Sequence, residues 1–230
     1  MLTLYIGNKN YSSWSLRPWS LLKTLGIPFE EKLVPFDSGS SYKKFRAFSP
    51  TGKVPCLVDG STVVWDSLAI AEYVAERHPA AWPADPAARA WARSAAAEMH
   101  SGFAVLRNDC SMCVGVRIEL RQISEHLRRD IARLDELWCE GLARFGGPFL
   151  AGPGFTAVDA FYVPVAFRVH SYGLALGAAA AAYAERLLAL PSTGEWEAAA
   201  LREPWRDPGH EASFMSSGRL IEDRRVPPPG

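Results

Sequence analysis

Three serines and an arginine crowd one short stretch, Tyr11-Ser12-Ser13-Trp14-Ser15-Leu16-Arg17, shortly after the apolar run Leu2-Thr3-Leu4-Tyr5-Ile6. A strand leading into hydroxyls and then into an amphipathic helix is a place to hold an anion. The unpaired amides of a helix start point there, and the helix dipole favours negative charge. The same serines also serve as ordinary helix caps. Pro18 lacks an N–H and fits best in a first helical turn, which places the expected N-cap near Ser15 and leaves Ser12 and Ser13 in the turn ahead of it. Cys110-Ser111-Met112-Cys113 is a second candidate, a C-x-x-C with redox or metal chemistry as its sharp reading. It lacks a second pair at zinc spacing and falls in a helical stretch rather than at the first helix of a sheet, so two small buried side chains are expected there.

The surrounding elements must position these groups. Residues 15–25 show apolar positions at helical spacing, and Gly26 with Pro28 ends that helix. Residues 29–34 read as a strand, 37–49 as polar and partly helical. Val54-Pro55-Cys56-Leu57-Val58 reads as a strand, Asp59-Gly60 as a hairpin turn, and residues 62–65 as the returning strand. Asp66-Ser67 then caps a helix over residues 68–77. The order β-α-β-α-β-β-α predicts a mixed four-stranded sheet covered by helices. Residues 80–86, with Pro83 and Pro86, form a linker. Beyond it, residues 87–106, 117–144, 155–172 and 175–190 read as four helices. From Glu203 onward Pro, Gly, Ser and charge dominate, and the expected reading is an irregular tail. The expected units are residues 1–79, a linker at 80–86, an all-helical unit at 87–208 and a tail at 209–230.

Bulk composition narrows the function. The 230 residues carry 25 Lys plus Arg and 25 Asp plus Glu, so the net charge is zero and gives no electrostatic reason to expect nucleic acid or an anionic membrane as partner. No leader is visible at the first strand, no apolar run is long enough to span a bilayer, and the four cysteines do not form a disulfide framework. A cytoplasmic protein is expected.

The chain resembles the cytosolic glutathione transferases over roughly its first 205 residues. Four local matches carry the resemblance: the serine motif of the zeta-like and theta-like bacterial types at residues 11–17, Val54-Pro55 at the family's cis-proline step, Asp66-Ser67 at its acidic-Ser pair, and Phe155-Thr156-Ala157-Val158-Asp159 at its helix-capping signature. The fold this implies is an α/β thioredoxin-like N-terminal domain followed by an all-α C-terminal domain. The activity it implies is ionisation of the glutathione thiol for attack on an electrophilic small molecule. Ser12 is the implied catalytic residue, with Ser13 as the alternative or partner. Lys53, Val54, Pro55, Asp66 and Ser67 are the implied glutathione-binding residues. The backbone at Val54 would pair with the extended peptide, and the Asp66-Ser67 helix start would take the α-amino-acid end of the γ-glutamyl group. Tyr11, Trp14, His100, Phe103, Arg107 and Arg168 are the implied acceptor-pocket residues, with His100, Phe103 and Arg107 on one face of a single helix. Trp14 stands where the zeta type has a cysteine, which argues against mixed-disulfide chemistry. Thr156 to Asp159 reads as a capping box serving folding. No metal is expected, and a homodimer is. A glutathione-dependent cis-trans isomerase of the zeta kind and a non-catalytic glutathione-binding protein are the alternatives.

Overall fold

In the computed structural model, which describes residues 1–36 and 40–227, five short strands, ten α-helices and one short 3-10 turn (Pro79–Ala81) follow the first strand in two packed regions. Residues 37–39 of the expected polar stretch and 228–230 of the expected tail lie outside the described residues. The first region is β1 (Leu2–Ile6), α1 (Ser13–Thr24), β2 (Phe29–Leu33), α2 (Tyr42–Phe45), β3 (Cys56–Asp59), β4 (Thr62–Val64) and α3 (Ser67–Ala75). Its sheet has the order β2-β1-β3-β4. β1 runs parallel to β2 and antiparallel to β3, and β4 closes the hairpin on β3. α1 turns Leu16, Trp19 and Leu22 inward, all fully buried.

The second region holds α4 (Pro86–Ser101), α5 (Ala104–Asp109), β5 (Val116–Leu120), α6 (Glu125–Phe145), α7 (Ala157–Tyr172), α8 (Ala178–Leu188), α9 (Pro191–Leu201), α10 (Pro208–Ser217) and β6 (Gly218–Asp223). α7 is apolar nearly all round, as a central helix must be, and packs against α1, α4 and α8. It starts at the expected capping box. Asp159 accepts from the Leu150 and Thr156 amides at 3.0 and 2.9 Å and from the Tyr183 hydroxyl at 2.8 Å. The expected fold class, a thioredoxin-like mixed sheet followed by a helical region, is the one the chain adopts.

Four local expectations need correction. α1 begins at Ser13, not near Ser15, and Pro18 lies inside it. The Ser12 amide is bonded to the Asn8 carbonyl at 2.8 Å and the Leu16 amide to the Ser12 carbonyl at 3.1 Å, so the helix is already under way before the proline removes a single bond. The long helix expected over residues 87–106 breaks at Gly102, where a Cβ would stand 2.7 Å from the Glu98 carbonyl oxygen, and Phe103 takes a left-handed φ of 52°. Residues 116–120 are a strand rather than the start of a helix, with Val116 and Ile118 buried and their neighbours less so. The stretch read as an irregular tail carries α10 and β6 instead. β6 pairs antiparallel with β5, so two segments that satisfy no ladder alone satisfy one together.

Candidate active site

β1 delivers the chain to a turn that is pinned from the far end of the sequence. The buried Glu203 carboxylate accepts from the Lys9 amide at 2.6 Å and the Asn10 amide at 3.2 Å. Asn10 passes the restraint on: its side chain donates to the Ala200 carbonyl at 2.6 Å and accepts from the Gly115 amide at 3.2 Å. The Tyr11 hydroxyl donates to Glu211 at 2.5 Å and accepts from the buried Arg225 at 3.1 Å. Burial, then the Glu211 hydrogen bond, holds that phenol well above its ordinary range, so it stays protonated. The turn is therefore set before α1 begins.

The serines face different partners. Ser12 Oγ donates to Ser15 Oγ at 2.7 Å, and Ser15 Oγ in turn accepts from the Gly7 amide at 3.2 Å. Ser13 Oγ accepts from Arg168 Nη2 at 3.3 Å. Arg168 comes from the buried α7 and also donates from Nε to the carbonyl of Cys110 (2.9 Å) and from Nη1 to that of Pro164 (3.2 Å). Arg17 lies 4.0 Å from the Trp14 ring centre and 4.9 Å from that of Phe161, with Nη1 3.5 Å from Ser67 Oγ. Arg107 reaches the Trp14 ring at 5.4 Å and donates to the His100 carbonyl at 3.2 Å across the break after α4. Among the described residues no carboxylate forms an ion pair with Arg17, Arg107 or Arg168. Burial, reinforced by these neighbouring cations, brings Arg17 down to about 9 and Arg168 down to about 10. Cationic groups this far from water and from counter-charge create a standing attraction for an anion.

Two cavities meet at this cluster. One, of about 660 Å³, is lined by Tyr11, Ser12, Ser13, Arg107, Arg168 and His210 among others. The other, of about 460 Å³, is lined by Thr51, Pro55, Trp65 and Asp66. Trp14, Lys53 and Val54 border both. The Val54–Pro55 peptide is cis, and Val54 makes no backbone hydrogen bond among the described residues, leaving its N–H and C=O open for a partner strand. Asp66 caps α3 by accepting from the Leu68 amide at 2.9 Å.

The structure thus gathers Tyr11, Ser12, Ser13, Trp14, Lys53, Val54, Pro55, Asp66, Arg107 and Arg168 around one space. Three expected residues stand apart. Ser67 is fully buried beneath the second cavity, within reach of Arg17 rather than of the open space. His100 and Phe103 line neither cavity: the break at Gly102 separates His100 from Arg107, and Phe103 is the left-handed N-cap of α5, turned into the core. His100 instead sits edge-on to Trp14, with Nε2 3.3 Å from Asp66. Phe103 is in the core. Cys110 and Cys113 are buried, and desolvation pushes each thiol up to about 12, so neither supplies a thiolate at neutral pH. Glu203, His210, Glu211 and Arg225 escaped the sequence reading. One local signal was present: Asp207-Pro208, an N-cap followed by proline at the first helical position, announces α10.

Residues 11–77 match the family model of the glutathione S-transferase N-terminal domain. A probable maleylacetoacetate isomerase from Caenorhabditis elegans is 36% identical over 107 residues, covering 46% of this chain and 49% of that protein, so the match spans about half of either length. A zeta class glutathione S-transferase from Euphorbia esula is 29% identical over 161 residues, covering 66% of this chain and 70% of that one. Among solved structures, a glutathione transferase homolog from Burkholderia with bound glutathione superposes with a TM-score of 0.64 at 24% identity, covering 86% of this chain and 97% of that chain.

Proposed function

We propose, from the premise that this chain belongs at the family level to the cytosolic glutathione transferases, that it holds glutathione between the two cavities and transfers its sulfur to an electrophilic small molecule. The observation that carries this reading is the border shared by the cavities. Trp14, Lys53 and the open Val54 backbone lie between the smaller recess that ends at Asp66 and a larger space walled by Ser12 and Ser13. An extended peptide adding to the free Val54 edge presents its thiol to the serines. A hydroxyl donating to sulfur stabilises the thiolate, which is the nucleophile.

Ser12 is the donor by its place in the motif. Its hydroxyl rotates freely, and reversing the bond to Ser15 releases the Ser12 hydrogen for the sulfur. A second reading gives the role to Ser13, because accepting from Arg168 leaves its own hydrogen unspent and polarised. In the larger space Arg107 and Arg168 favour an acceptor bearing a carboxylate. The isomerase alternative adds the thiol, lets a bond rotate, and eliminates it, using the same groups. The reading also includes a cytoplasmic homodimer, as the family resemblance implies.

The test is retention on immobilised glutathione followed by conjugation of a generic aryl halide. Retention with turnover is the expected result. Retention without turnover favours a binding protein, and turnover confined to a cis-dienoic acid favours the isomerase. Ser12→Ala is expected to lower the conjugation rate about ten-fold, roughly 1.4 kcal/mol in the barrier, with glutathione affinity kept. A large effect of Ser13→Ala with none from Ser12→Ala assigns the donor to Ser13.

A further inference from the structure

The larger cavity has a wall that the serine motif does not supply. α10 places His210 there, on a segment that follows all the other helices. The imidazole lies between two rings, 5.0 Å from the Tyr11 centre at 20° and 5.1 Å from the Phe36 centre at 22°. This sandwich fixes the ring plane. Nδ1 is 2.6 Å from Asp207 Oδ2, which also accepts the His210 amide at 2.9 Å. Asp207 is the more sheltered partner, with 13% of its side chain exposed against 37% for His210, so the carboxylate anchors and the imidazole is reachable. Nε2 has no hydrogen-bond partner among the described residues.

A carboxylate on Nδ1 selects the tautomer whose proton sits there and leaves Nε2 with its lone pair. It also stabilises the imidazolium once that lone pair takes a proton. The other charged groups around the ring are accounted for. Glu211, one residue on, is committed to Tyr11 and Arg225. Phe36 brings no charge, and Lys53, Arg107 and Arg168 border the same cavity as cations. Those cations favour a thiolate, but the proton it gives up still needs a destination inside a partly closed space.

We infer that the Asp207–His210 pair is a general base for this site, taking the proton of a thiol bound beside Ser12 and Ser13. The assignment rests on the glutathione reading above. The S–H bond breaks, its electron pair stays on sulfur and the proton goes to Nε2. The thiolate then forms a C–S bond while the acceptor's leaving group departs with the electron pair of its own bond. The imidazolium releases its proton to solvent and the cycle closes with no further reactant.

The experiment compares wild type, His210→Gln and Asp207→Asn, with glutathione binding read by calorimetry and kcat/KM for an aryl halide read across pH. In wild type kcat/KM rises as the imidazole loses its proton. His210→Gln is expected to lose that inflection and about a hundred-fold in kcat/KM at neutral pH, with glutathione affinity retained. Asp207→Asn keeps a good helix cap and is expected to lose less in kcat/KM, with glutathione affinity retained. It also carries the test should His210→Gln fail to fold. A His210→Gln enzyme that binds glutathione and keeps the wild-type rate and pH profile overturns the base assignment alone. A wild-type protein that holds no glutathione overturns this assignment together with the function it rests on.

Discussion

The two walls that flank the serine turn are made by unlike means. On the sheet side the partners are closer in sequence, and those facing the recess are open to water. Lys53 is exposed and half of the Asp66 side chain faces solvent, while Arg17, which meets Ser67 across 50 residues, is buried with it. On the opposite side Glu203 reaches Lys9 across 194 residues, and Arg225 reaches Tyr11 across 214. Those two side chains are buried, and every contact they make with the turn is an ionic hydrogen bond. A solvated wall tolerates the loss of one group because water replaces it. A dry wall does not, because the partner left behind is buried and unpaired. The contrast separates the part of the site suited to recognising a varied ligand from the part that holds the turn rigid.

The sharpest way to break this contrast is Glu203→Ala, which strips the acceptor from the Lys9 and Asn10 amides at once. It is expected to cost about 3 kcal/mol of stability, read as a fall in the urea midpoint. Glu203→Gln keeps an acceptor and is expected to cost less than half as much. A Glu203→Ala protein as stable as wild type would mean that the far wall is not the rigid one.

At the seam between the walls, Arg168→Ala and Arg107→Ala compare a carboxylated with a neutral acceptor. A selective loss of about 2 kcal/mol in kcat/KM for the carboxylated one is expected, the size of a charged hydrogen bond. Equal loss on both acceptors removes the anion preference and leaves Arg168 as a fixture of Ser13.

The smallest effects belong to the sheet side. Asp66→Ala removes the α3 cap and is expected to lower stability by about 1 kcal/mol. It is also expected to raise KM for glutathione with kcat kept, since the γ-glutamyl end is far from the sulfur. Ser67→Ala is expected to move KM less than Asp66→Ala, because Ser67 is buried against Arg17 rather than facing the recess. An unchanged KM in both variants takes the pair out of the site.

The sheet-side wall was legible in the sequence because each of its signals is local. Asp59-Gly60 turns a hairpin, Asp66 caps the helix it precedes, and Val54-Pro55 opens the strand it precedes. The far wall was not legible. Glu203 and Arg225 are ordinary charged residues in a polar stretch, and nothing within ten positions reveals that each has a buried partner near residue 10. The strand Val116–Leu120 was lost for the same reason, since its pairing partner β6 lies a hundred residues on and carries three charges in six positions. The arginine cluster fell between these cases. Arg17 and Arg168 were visible as residues, but only tertiary packing shows that both are shut away from water with no ion-paired carboxylate among the described residues. Proline misled at Pro18, where a helix already begun lost one bond and continued.

Because Glu203 follows Lys9 by 194 residues, the order of synthesis bears on the site. A ribosome releases the β1 turn early, and the sheet region can condense while α8 to α10 are still inside the tunnel or unmade. During that interval the Lys9 and Asn10 amides have only water to bond. The turn takes its final shape when the segment holding Glu203, His210 and Arg225 arrives and docks. A nascent chain halted anywhere before residue 203 therefore carries the whole serine motif and half of its setting, and the last helix to emerge is the one that completes the cavity.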